Sequence, residues 1–275
     1  IMGPDAELGG NIVQLTDGGY AVGSTSYSSI GCDKIEDNVG ASDYWIIKLD
    51  TVGNIVWQNT IGGNQPDELK AMVPTSDGGL FLSGSSWSPI SGDKTETVIG
   101  GLGSPDYWVI KLNALGNIEW QNTIGGDYDD FLETAALTPD GGFIIGGSST
   151  SDISDDKSEN HIGGLGGDYW VVKLNNVGAI EWDNTIGGED MESLSDIAVT
   201  ADGGYILAGS SSSDIGYDKT ENAFGGRDYW IIKLNATGEI LWQKTIGGNS
   251  ADFLYTVEQT YDNGFILGGI SNSDI

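Results

Sequence analysis

Thiol and imidazole chemistry are almost missing from this chain, in which Cys32 is the one cysteine and His161 the one histidine. A single thiol excludes a disulfide framework and a thiolate metal site, so Cys32 is expected to be buried or incidental. His161 is expected to be a solvated loop residue, and no zinc motif, phosphate loop or nucleophile and base pair accompanies it. Cations are scarce as well, with 11 Lys and Arg against 41 Asp and Glu and a formal charge of −30. With no basic stripe to neutralise phosphates, nucleic acid is excluded as a partner, and anionic membrane surfaces are excluded with it. No apolar run approaches the ~20 residues that span a bilayer. The chain opens at Ile1 without a signal-peptide pattern, as a processed or excerpted chain would.

What is there is repetition. Asp-Tyr-Trp-(Ile/Val)-(Ile/Val)-Lys-Leu starts at Asp43, Asp106, Asp168 and Asp228, a spacing of 60 to 63 residues. Trp57, Trp120, Trp182 and Trp242 each open a Trp-(Gln/Asp)-(Asn/Lys)-Thr-Ile-Gly-Gly segment. An Asp-Gly-Gly turn recurs at Asp17, Asp77, Asp140 and Asp202, with a degenerate copy at Asp262-Asn263-Gly264. Length varies only in the loop that leads from Ile30, Ile90, Ile153, Ile215 and Ile275 towards the next Asp-Tyr-Trp. The few cations obey the period too: Lys34, Lys94, Lys157 and Lys219 fill one position, and Lys48, Lys111, Lys173 and Lys233 another. A period of this size means one modular array rather than unrelated domains.

Each unit holds four strand-like runs bounded by turn residues, named A to D here, and no window has a helical period. In one unit these are Phe131 to Thr138, Phe143 to Gly147, Tyr169 to Leu174 and Ile180 to Ile186. Strand D alternates, with Ile118, Trp120 and Ile124 on one face, which predicts a half-exposed outer strand. Strand B is Gly-rich and almost uncharged, as expected where backbones crowd near an axis. The expected fold is all-β, a β-propeller of four-stranded antiparallel blades, the alternative being an open head-to-tail β-repeat array. The chain is then a single domain, 1–275, with units at about 1–60, 61–123, 124–185 and 186–245 and a further half unit at 246–275 that matches 1–30. Antiparallel pairing places the variable B-to-C loop and the D-to-A loop on one rim. The additional A-B hairpin predicts either an excerpt of a longer array or a blade completed by a neighbouring copy, and so head-to-tail self-association.

The combination of Asp218-Lys-Thr-Glu-Asn222, Asp228 to Leu234, Trp120 to Gly126 and Asp202 to Ser211 resembles the repeats of large secreted proteins of Bacteroidota, many of which carry a type IX secretion sorting domain. The resemblance covers essentially the whole chain. It implies a β-propeller-like fold and an extracellular or cell-surface location, and it implies no activity.

Two sets of residues are candidate sites. Asp33 and Glu36, Asp93 and Glu96, Asp156 and Glu159, and Asp218 and Glu221 form a repeated Asp-Lys-x-Glu element on the variable rim. Loop carboxylates are the hard oxygen ligands that Ca²⁺ takes. The competing reading is a loop latch, in which they accept backbone N–H bonds and pair with the intervening Lys. Tyr27 and Trp87, at equivalent positions beside the variable loop, are candidate exposed aromatics for a glycan or protein ligand, whereas the strand Trp residues are expected to pack between blades. The function that follows is a noncatalytic, extracellular structural or adhesive repeat protein, the subunit of a surface filament. The alternatives are a glycan- or protein-binding module using the variable rim and a polysaccharide-degrading enzyme.

Overall fold

The computed structural model describes residues 1–164 and 166–274; Ile275, the last of the recurring Ile positions, lies outside them. It is all-β. Four antiparallel four-stranded sheets and a two-stranded one follow each other along the chain. The first holds β1 (Glu7–Gln14), β2 (Tyr20–Ser26), β3 (Asp43–Leu49) and β4 (Ile55–Ile61). The second holds β5 (Asp67–Pro74), β6 (Leu80–Ser86), β7 (Asp106–Leu112) and β8 (Ile118–Ile124). The third holds β9 (Asp130–Leu137), β10 (Phe143–Ser149), β11 (Asp168–Leu174) and β12 (Ile180–Ile186). The fourth holds β13 (Glu192–Val199), β14 (Tyr205–Ser211), β15 (Asp228–Leu234) and β16 (Ile240–Ile246), and the fifth β17 (Asp252–Gln259) and β18 (Phe265–Ser271). Strand order within a sheet follows chain order, so each sheet is one sequence repeat folded as a meander.

Strands A and D are the two edges of each four-stranded sheet, and B and C are its centre. The burial follows from this. The central strands β6, β7, β11 and β14 are buried at every residue, and the D strands β8 and β12 only at their C-terminal ends. The A-B turns close with an Asp carboxylate accepting the N–H two residues on, as Asp77 does from Gly79, and with Gly78 at φ 83°. In the degenerate fifth turn Asn263 takes that conformation at φ 65°, which an amide side chain tolerates better than most.

The chain divides into two compact units, Ile1–Leu132 and Glu133–Ile275. In the first, the A strand of the second sheet lays Leu69 and Met72 onto a core with Tyr44, Ile46, Leu82 and Trp108. In the second, Leu194 and Ile197 do the same against Ile144, Tyr169 and Val171, and Leu254 and Val257 against Ile206 and Ala208. The core around Leu69 and the core around Leu194 each include a Tyr from one strand C and the Trp of the next repeat's strand C. The ring centroids of Tyr44 and Trp108 and of Tyr169 and Trp230 are both 5.2 Å apart. This approach explains the glycines of strand B. A Cβ on Gly84 would sit 1.9 Å from the Glu68 carbonyl and 2.6 Å from the Tyr44 hydroxyl, and one on Gly209 2.4 Å from the Tyr169 hydroxyl.

Candidate functional site

The Asp-Lys-x-Glu element opens the B-to-C loop, whose first turn is closed by an isolated bridge from Lys34 to Gly31, with equivalents at Lys94, Lys157 and Lys219. Its three side chains have three separate partners. The Glu carboxylate accepts the backbone N–H of a strand D threonine: Glu36 from Thr60, Glu96 from Thr123 and Glu221 from Thr245 at 2.6 Å, and Glu159 from Thr185 at 2.7 Å. The Lys ammonium donates to the hydroxyl of that same threonine, at 2.6 Å from Lys34 to Thr60 and from Lys219 to Thr245; Lys94 and Lys157 do likewise to Thr123 and Thr185. Each of these lysines is buried and lies 5.0 to 5.5 Å from the centroid of its repeat's Asp-Tyr-Trp tryptophan.

The Asp reaches back to the segment that precedes strand A of its own sheet. Gly62 N–H donates to Asp93 Oδ2 at 3.2 Å while Asp93 N–H donates to the Gly62 carbonyl at 2.9 Å. Asp218 and Gly187 make the same exchange at 3.1 and 3.2 Å. Asp33 does so with Met2, at 3.0 Å in both directions; Asp156 also has a partner. The carboxylates proposed as Ca²⁺ ligands are therefore engaged by backbone N–H groups, and among the described residues no group of three or more Asp, Glu, His or Cys is placed to hold a metal ion. The arrangement fits the latch in its backbone N–H bonds, while the intervening Lys bonds the strand D threonine.

Beneath the latch lies a layer of buried charge. Asp43, Asp67, Asp106, Asp130, Asp168, Asp228 and Asp252 are at most 2% exposed. Asp43 Oδ2 accepts Val39 N–H at 2.6 Å, and Asp67 Oδ2 accepts Gly63 N–H at 2.6 Å and the Ser88 hydroxyl at 3.0 Å. Among the described residues, the Oδ1 atoms of Asp43, Asp67 and Asp168 have no hydrogen-bond partner. Burial pushes Asp43 up to about 6 and raises Asp67, Asp168 and Glu192. The same burial pushes Lys94 down to about 8, against the attraction of Asp67 and Asp106. At the opposite rim the second lysine of each repeat bonds the turn Asp. Lys111 lies 2.9 Å from Asp77, Lys173 2.9 Å from Asp140 and Lys233 3.0 Å from Asp202. Against the cost of burial, the Thr75 hydroxyl and Lys111 hold Asp77 at about 2; Thr138, Gly142 and Lys173 do so for Asp140. Asp202 is held at about 2 by Thr200 and Lys233.

The sequence left out the partners on strand D. Gln58 accepts the Trp45 indole N–H at 3.0 Å and donates to the Asp33 carbonyl at 2.8 Å. Asn59 donates to the Gly116 carbonyl in the C-D turn of the following repeat at 2.8 Å, and Asn184 to that of Gly238 at 2.7 Å. The signal was present in the repetition of Trp-Gln-Asn-Thr itself, since polar residues that recur on a strand have recurring partners.

Two expectations change and a third is narrowed. Of the buried and incidental readings of Cys32 the incidental one stands, since the side chain is exposed, in a positive-φ turn position that Gly92 takes in the second repeat. His161 is not solvated: it is partly buried, bonds the Gly166 carbonyl and lies 3.7 Å from Asp168, because the third loop folds it over that carboxylate. Of the two candidate aromatics, Tyr27 is exposed. Trp87 is half-buried against Phe131, with centroids 6.0 Å apart, so the pair does not form a repeated platform.

No family model matches the chain. Over 185 residues, 63% of its length, it is 24% identical to "Regulatory protein FlaEY" of Caulobacter vibrioides, and the match spans 18% of that protein. No helix among the described residues is long and apolar enough to cross a membrane. The fold and the site define an all-β protein of tandem antiparallel sheets, in which a recurring latch ties the B-to-C loop to strand D and to the segment that precedes the sheet.

Proposed function

We propose that this chain is a noncatalytic, extracellular structural repeat protein, a scaffold of cell-surface assemblies built end to end from repeats of its own kind. The observation that carries the reading is the use made of the periodic polar residues. The Asp, Lys and Glu of the latch and the Lys of strand C all bond within a repeat or to its neighbour, which is the economy of a stacking module. Sheets packed face to face are blade-like, and the reading extends to a β-propeller. The extracellular setting rests on the resemblance to secreted Bacteroidota repeats, and the high negative charge suits a protein that must stay soluble. Electron microscopy and sedimentation of the purified protein test it. End-to-end oligomers that grow with concentration are expected; isolated particles at every concentration would sink the assembly reading, and turnover of any polysaccharide would sink the noncatalytic one.

Two observations favour a second reading, a module that binds a glycan or a surface protein. The matched protein is named a regulatory protein, and Tyr27 presents an exposed ring beside the variable loop. Binding on a glycan or protein array that is lost in Tyr27→Ala and Trp87→Ala would select it.

A further inference from the structure

One apolar position recurs on the surface of the repeats. Ile30, Ile90, Ile153 and Ile215, in the B-to-C loops of the four-stranded sheets, are 58%, 65%, 58% and 63% exposed. The backbone there is fixed. Two residues before each Ile a serine is fully buried, and four residues after it the latch lysine is buried too. Ile30 N–H donates to Asp37 Oδ1 at 2.8 Å, Ile153 N–H to Asn160 Oδ1 at 3.1 Å and Ile215 N–H to Asn222 Oδ1 at 3.0 Å. Scattered surface aliphatics need no explanation, but a pinned loop that holds one in water in every repeat gives up the free energy of burying it.

Charge distinguishes the rims. At the A-B turns the carboxylates are compensated, Asp17 by Lys48 at 2.7 Å and Asp77, Asp140 and Asp202 by their own strand C lysines. At the B-to-C loops the lysines lie beneath the surface and bond strand D threonines. In the second unit the exposed isoleucines therefore stand among open carboxylates. Asp152 and Asp155 flank Ile153 and Asp214 precedes Ile215; all three are exposed, and among the described residues none pairs with Lys or Arg. Asp190 N–H donates to Ser213 Oγ at 2.8 Å and Ser212 N–H to the Met191 carbonyl at 3.0 Å, which lays the exposed Glu189 and Asp190 against the segment leading to Ile215. Tyr217, 66% exposed, adds a ring beside it. The cations of this sheet are engaged elsewhere: Lys244 pairs with Glu221 at 2.6 Å, and Arg227 lies on the Met191 sulfur and 5.8 Å from the Phe253 ring centroid.

We infer that the rim of the second unit carrying Ile153, Ile215 and Tyr217 is a docking surface for a cationic amphipathic polypeptide. Its apolar side chains cover the isoleucines, and its Lys or Arg side chains answer the carboxylates that the buried lysines leave open. Charge steers the approach and selects the partner, and the isoleucines give the contact its apolar centre. A second copy of the chain does not fit, because it carries the same formal charge of −30. A glycan fits less well, because the recurring side chain is aliphatic and offers no flat ring for a sugar to stack on. The first unit lacks the charge: Ser29 and Pro89 stand where Asp152 and Asp214 precede the Ile, and Asn64 and Gln65 where Glu189 and Asp190 stand.

This inference narrows the binding-module reading to one class of partner and rests on it. Fluorescence anisotropy of a labelled synthetic peptide of alternating Leu and Lys, titrated with the chain 1–275, tests it. Saturable binding that weakens as salt is raised is expected. Ile153→Ser with Ile215→Ser should weaken it about tenfold and leave the melting temperature in place, since both side chains are exposed. Ile30→Ser with Ile90→Ser should change it little. Asp152→Asn with Asp214→Asn should weaken it at low salt and lose that effect at high salt. A peptide of alternating Ser and Lys that binds as tightly, or binding indifferent to the Ile153 and Ile215 changes, would show attraction by net charge alone and overturn the docking surface. Absence of peptide binding would overturn it as well. In that case binding on a glycan array would keep the module reading with a different ligand, and no binding on either would remove both.

Discussion

Asp93, in the B-to-C loop of the second sheet, and Gly62, in the segment that precedes that sheet, exchange two hydrogen bonds, Gly62 N–H to the Asp93 carboxylate at 3.2 Å and Asp93 N–H to the Gly62 carbonyl at 2.9 Å. Replacing the side chain leaves a part-buried N–H without its acceptor. Asp93→Ala is expected to cost about 1–3 kcal/mol in urea unfolding, and Asp93→Asn, whose amide oxygen still accepts, markedly less.

The same engagement bears on metal. Because these carboxylates bond backbone N–H groups, excess chelator is expected to leave the melting temperature of the chain unchanged. A fall of several degrees on chelation, reversed by added Ca²⁺, would restore the calcium reading of the rim.

The buried lysines answer to buried carboxylates. Lys94 lies within the field of Asp67 and Asp106, so Lys94→Met keeps the volume and strips the charge that compensates them. A loss of roughly 3–5 kcal/mol is expected at pH 7, below the value of about 8 to which burial pushes Lys94 and so where it is charged, the scale for breaking a buried pair. The loss should shrink at pH 5, where the carboxylates take up protons; an equal loss at both values would show that packing rather than charge is at stake.

The acid side of the stability curve has two components of opposite sign. Asp43 is raised to about 6 and Asp67, Asp168 and Glu192 are raised as well. Between the ordinary carboxylate value and their own they hold protons in the folded chain that the unfolded chain releases. Stability therefore rises as pH falls from about 7 towards about 4. Asp77, Asp140 and Asp202, held at about 2, contribute fully above about 4 and lose their share as pH falls further. Melting temperatures measured across this range should peak near the crossover, and Asp43→Asn should flatten the upper limb.

Two glycines provide a contrast. A Cβ on Gly187 would stand 1.9 Å from Asp168 Oδ1, whereas one on Gly216 would meet nothing within 4 Å. Gly187→Ala is expected to destabilise by about 1–3 kcal/mol through overpacking against a buried carboxylate. Gly216→Ala should fall within about 0.5 kcal/mol of wild type. Paired thermal melts check both.

Much of this molecule was legible in its sequence because repetition lets each copy vouch for the others. Four runs per repeat, antiparallel pairing and an edge position for strand D all follow from the alternation around Trp120 and from turns such as Asp77-Gly78-Gly79. That strand A forms the second edge, with B and C between, required the pairing itself, because a Gly-rich run such as Phe143 to Gly147 is equally suited to several crowded positions.

What the sequence by itself determined was the unit, its period and the fact that Asp33, Lys34 and Glu36 recur together. It left a latch and a cation site as rivals, since both use carboxylates on a loop. Tertiary structure showed which donors these carboxylates bond, because that depends on what lies within hydrogen-bond reach, and Gly62 and Thr123, distant in sequence, reach Asp93 and Glu96. It also decided that Cys32 is exposed and His161 partly buried, as the path of one loop and not its composition sets what each side chain meets.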